Sequence, residues 1–62
     1  MKKYYFTFGF SQPHQGCYHV IEAESSLEAR EEMFRKFGKK WAFQYESAKE
    51  AGVNRFNLKE IK

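Results

Sequence analysis

Residues 17–38, CYHVIEAESSLEAREEMFRKFG, change their periodicity once, and that change decides the fold. From Cys17 to Ala23 every second residue shares a face: Cys17, His19, Ile21 and Ala23 oppose Tyr18, Val20 and Glu22, the period of a strand. Beyond Ser26 the spacing becomes helical. Leu27, Ala29, Met33, Phe34 and Phe37 form one broad stripe, and Arg30, Glu31, Glu32, Arg35 and Lys36 fill most of the remainder. Ser25 and Glu28 have the spacing of a capping box, in which each satisfies an orphan amide at a helix start. Gly38 supplies the left-handed residue that ends many helices. The pattern predicts a strand over 17–23 and a helix over 26–37.

Toward the N-terminus, KYYFTFGF (residues 3–10) predicts a second strand, with Tyr4, Phe6, Phe8 and Phe10 on one face and Lys3, Tyr5, Thr7 and Gly9 on the other. Residues 11–16, SQPHQG, have the composition of a connection, so the two strands make a hairpin. Toward the C-terminus, WAFQY (41–45) predicts a third strand with Trp41, Phe43 and Tyr45 on one side. ESAKEA (46–51) suits a short helical turn closed by Gly52. Residues 56–61, FNLKEI, predict a final edge strand whose lysine discourages further pairing. The expectation is a single α+β domain over residues 1–62, a two-layer β-β-α-β(-β) arrangement with an antiparallel sheet and one main helix on one face. Both faces of the first strand carry apolar residues, so the sequence leaves open which one meets the helix.

A chain of 62 residues has room for one core. At this mass, area scaling gives a folded surface of roughly 4,200 Å². Domains this small commonly draw on disulfides, metals or association for stability. Cys17 is the only cysteine, so a disulfide within the chain is excluded. Met1-Lys2-Lys3 leads into alternating aromatics rather than a secretory signal, and no run is long enough to span a bilayer. The expected location is the cytoplasm, without membrane association. Seven Phe, four Tyr and one Trp make up 19% of the residues, more ring surface than one helix can cover. Outward rings in a contiguous patch mark a partner, a ligand or a twin subunit.

The residues that could carry chemistry are few. His14, Cys17 and His19 form an H-x2-C-x-H cluster of zinc-ligand types, but a closed site needs a fourth ligand and the chain has no other Cys or His. The alternative places Cys17 and His19 as inward strand residues and His14 at a turn. A Cys17–His19 pair is the minimum for an activated thiol, yet nothing indicates an oxyanion hole. Ser25 and Ser26 are explained by capping, and no glycine-rich phosphate loop is present. No enzyme, cofactor or metal is expected.

Charge is distributed unevenly. Residues 22–32 hold five acids and one arginine, whereas residues 35–40, RKFGKK, hold four bases and no acid. Acids near a helix start and bases near its end complement the macrodipole. Lys39 and Lys40 lie beyond Gly38 and lead into Trp41, the combination that an anionic planar ligand requires. A sheet displaying aromatics, as in RNA-recognition modules, is a second reading, although the glycine pattern is missing and a net charge of +3 is modest. A third reading has Tyr5, Tyr18, Trp41 and Tyr45 stack against the same face of a second copy.

The patterns YYFTFG, CYHVIEAES, EAREEMFRKFG-KKWAFQY and FNLKEI together resemble a group of very short proteins encoded by bacteriophages and prophages. The resemblance covers nearly the whole chain and carries no catalytic signature. It implies a compact cytoplasmic antagonist of bacterial immunity, acting on a host defence protein or by sequestering an anionic nucleotide signal. The expected function is therefore that of a non-enzymatic, homo-oligomeric anti-defence binding protein, with a nucleic-acid-binding phage regulator as the alternative. The expected contact residues are Tyr5, His14, Tyr18, Arg35, Lys39, Lys40, Trp41 and Tyr45.

Overall fold

A computed structural model describes residues 1–9 and 11–61. The elements are β1 (Lys2–Thr7), β2 (Cys17–Ala23), α1 (Ser26–Phe37), β3 (Phe43–Tyr45), α2 (Ala48–Ala51) and β4 (Lys59–Ile61). The hairpin forms as the alternation requires: β1 and β2 run antiparallel, with Lys2 opposite Ala23 and Thr7 opposite Tyr18. Phe10, expected at the end of the first strand, lies outside the described residues.

The sheet order is β3-β1-β2-β4. β3 is antiparallel to β1, but β4 is parallel to β2. The sheet is thus mixed, not antiparallel as expected. The reason lies in the connections. β3 ends on one edge, and the chain must cross β1 and β2 to reach the other, which returns it in the same direction as β3 and β2. Crossovers between parallel strands are right-handed. The β2-α1-β3 and β3-α2-β4 crossovers step in opposite directions across the sheet, so α1 and α2 fall on opposite faces. Consistent with that placement, Ala51 of α2 is buried yet stands outside the cluster formed beneath α1.

That cluster settles which face of β1 meets α1: Tyr4, Phe6 and Phe8 are buried with Ile21, Ala23, Ala29 and Met33. α1 has the predicted bounds. Ser25 Oγ accepts from the Glu28 amide at 3.2 Å, and Gly38, with φ 62°, donates its amide to Phe34 O. Only half of the capping box forms, because the Glu28 carboxylate takes the amide of Glu24 instead of that of Ser25. The buried stripe is also narrower than expected. At 100° per residue, Leu27 and Phe34 stand roughly 140–160° around the helix from Ala29, and both are exposed.

Trp41 is the other displaced residue. Thr7 is the ladder partner of Phe43, and its carbonyl also accepts from the Ala42 amide at 2.8 Å. Two residues therefore oppose one, as in a β-bulge. The extra residue turns Trp41 to the α1 side, where it packs edge-on against Phe6, while Phe43 and Tyr45 stay on the opposite face. The expected grouping of Trp41 with Phe43 and Tyr45 is corrected accordingly.

Candidate functional site

The eight expected contact residues do not share one surface. Tyr5 and Tyr18 lie on the face away from α1, with ring centroids 6.2 Å apart, and Tyr45 is the ladder partner of Tyr5. The recess beside the Tyr5–Tyr18 pair is lined by Lys3, Val20, Glu22 and Glu60. Two acids against one base make this corner a poor place for an anion. Arg35 lies on another side of α1, paired with Glu32 at 3.1 Å. Trp41 is committed to packing: Phe6 and Phe34 meet it edge-on at 5.1 and 5.4 Å, the Arg30 guanidinium lies 5.8 Å from its ring centre, and its Nε1 donates to Gly38 O. Lys39 is exposed just past the end of α1.

His14 and Lys40 do converge. They line a recess of about 450 Å³ with Pro13, Lys36 and Phe37 at the C-terminal end of α1. The β1–β2 connection brings His14 there. The Gln12 side chain accepts from the Gly9 amide, and Cys17 donates to His14 O, which closes the loop. The His14 ring then meets Phe8 and Phe37 edge-on at 5.2 and 5.4 Å, so one wall of the recess is aromatic.

Lys36 and Lys40 make the rest of the lining cationic. Lys40 follows the helix end and its amide donates to Phe37 O, which holds the backbone there. Lys36 is fixed from beneath: its ammonium donates to Nε2 of His19 at 3.3 Å, and Nδ1 of His19 donates to Ile61 O at 2.6 Å. The end of a helix carries about half a negative charge, and two lysines outweigh it. Lys36, Phe37 and Pro13 were not among the expected contact residues. Lys36 and Lys40, four apart across the helix end, are the signal that could have found the pair. The approach of His14 depends on loop geometry that no local pattern encodes.

Both nitrogens of His19 are engaged by Ile61 and Lys36, so it is not available as a base to Cys17, and His19 is buried. Among the described residues, no three His, Cys, Asp or Glu side chains are grouped to hold a metal ion, and no helix is long and apolar enough to cross a membrane. No protein-family model matches the chain, and no curated protein or solved structure matches it either.

Proposed function

We propose that this chain is a small binding protein that acts without covalent chemistry and holds an anionic planar ligand of nucleotide size in the recess of Pro13, His14, Lys36, Phe37 and Lys40. The observation that carries this reading is the pairing of two lysines with the His14–Phe37 ring wall in one concavity. Phosphate oxygens would meet the ammonium groups, and a base would lie against the rings. The recess is confined to five residues at one end of α1, which favours a single nucleotide over a nucleic-acid strand. The biological setting, sequestering a nucleotide signal of bacterial defence on behalf of a phage, rests on the likeness of the sequence patterns to small phage proteins. Affinity capture from host lysate, with identification of retained small molecules as well as proteins, addresses that setting.

Calorimetric titration with nucleoside monophosphates and cyclic dinucleotides tests the site itself. Binding should weaken on the order of tenfold in Lys40→Glu, the effect of about 1.4 kcal/mol. It should weaken again as salt rises. Tyr18→Ala, on the other face, should leave it unchanged. No nucleotide binding at millimolar ligand, or equal losses at Lys40 and Tyr18, removes this reading.

A further inference from the structure

We infer that Lys36 is a modification site, an amine that takes the acyl group of a small acyl phosphate seated in the recess, with His19 as the base. The inference needs no nucleotide, so it stands apart from the ligand reading above.

Three groups in contact support it. His19 Nδ1 donates to Ile61 O at 2.6 Å, which leaves the lone pair of Nε2 as the acceptor for the Lys36 amine at 3.3 Å. The imidazole is held in that pose: it is 6% exposed and meets Phe37 edge-on at 5.4 Å. A nucleophile within hydrogen-bond reach of a base, itself oriented by a third group, is the arrangement that activates side chains for covalent attack. Here a main-chain carbonyl does the orienting. Lys36 itself is exposed and lines the recess, so an acyl donor can reach its nitrogen.

The remaining lining selects the donor. Lys40 places a second ammonium in the same recess, and an ammonium suits a phosphate leaving group. A cavity of about 450 Å³ walled by Pro13, His14 and Phe37 admits a small acyl phosphate. The reacting form is the neutral amine. One of its N–H bonds points to Nε2, which turns its lone pair away from His19. The amine nitrogen attacks the acyl carbon, and the bond from that carbon to the phosphate oxygen breaks. Both electrons of that bond leave with the phosphate, against Lys40. The nitrogen, cationic as its new bond forms, passes its proton to Nε2, and the imidazolium then releases it to the phosphate or to water. Acylation thus replaces one of the two ammonium groups of the recess with a neutral amide.

Acetyl phosphate is the probe, with peptide mapping by mass spectrometry and circular dichroism to verify folding. Lys36 should be acetylated on the order of a hundredfold faster than Lys39 and Lys59, which are exposed outside the recess. His19→Gln can still donate to Ile61 O and accept from Lys36 but is no base, so the rate at Lys36 should fall to that of Lys39. In Lys40→Gln the rate with acetyl phosphate should fall several-fold relative to the rate with a neutral N-hydroxysuccinimide ester. Should His19→Gln fail to fold, the comparison within the wild type and the Lys40→Gln ratio decide without it. The inference is overturned if wild-type Lys36 reacts no faster than Lys39 and Lys59, if folded His19→Gln keeps the wild-type rate, or if Lys40→Gln leaves the ratio of the two donors unchanged.

Discussion

His19 shows how one side chain joins three elements. It sits on β2, is buried, donates to the last residue of β4 and accepts from Lys36 near the end of α1. A carbonyl on one side and an ammonium on the other fix the neutral tautomer with its proton on Nδ1. The ring also packs edge-on against Phe37 at 5.4 Å. His19→Phe keeps that packing but strands the Ile61 carbonyl and frees Lys36. The loss should be about 1–3 kcal/mol, read as a lower urea midpoint with an unchanged slope and as faster exchange at β4 amides. Gly52 gives a second residue-scale prediction. Its φ is 76°, and an added Cβ would fall 2.5 Å from the Phe56 ring. Because Phe56 is largely exposed and can swing away, Gly52→Ala should cost chiefly the left-handed backbone penalty, about 1–2 kcal/mol. Gly16→Ala, also at positive φ but with open space around it, should cost nearly as much; a far larger loss at Gly52 would show that the ring is pinned. Strand alternation made the inward placement of His19 legible, but its partner is 42 residues away, beyond the reach of local pattern.

Elements differ in how far their own residues specify them. α1 is specified locally: a serine cap, a buried Ala29–Met33 line and a glycine stop set its bounds without help from the remainder. Ser25→Ala should therefore destabilise the domain by about 1 kcal/mol, since the Glu28 amide loses its acceptor. Ser47 caps α2 in the same way, through the Glu50 amide. Ser47→Ala should have the smaller effect on helical content, because α2 has only four residues to unwind. Chemical denaturation followed by circular dichroism separates the two variants. The strands were legible as strands but not in their pairing. WAFQY has the alternation of a five-residue strand, yet the amide of Ala42 shares the Thr7 carbonyl's position with Phe43 and breaks the period. Packing decides this: Trp41 gains Phe6 and Phe34 as neighbours on the α1 side. The direction of β4 is likewise set by the edge to which the crossover must travel, not by the residues of FNLKEI.

At the scale of the whole molecule, the early expectation that one helix leaves a sheet face bare is met in part by the crossover carrying α2. It brings Ala51 into a buried position on the second face. Exposed rings remain at Phe34, Phe43 and Phe56, and two of these three border the same edge strand. The basic recess was legible in outline, because RKFGKK concentrates charge at one helix end. The separation of Tyr5, Tyr18 and Tyr45 from it was not, because it depends on which face of β1 the helix chose. A ligand that binds only the folded recess stabilises the chain as a whole, so saturating nucleotide should raise the unfolding midpoint. Calorimetric scans with and without nucleotide should show that rise for the wild type and for Tyr18→Ala, on the other face of the sheet, but not for Lys40→Glu. A rise that survived Lys40→Glu would place the ligand outside the recess.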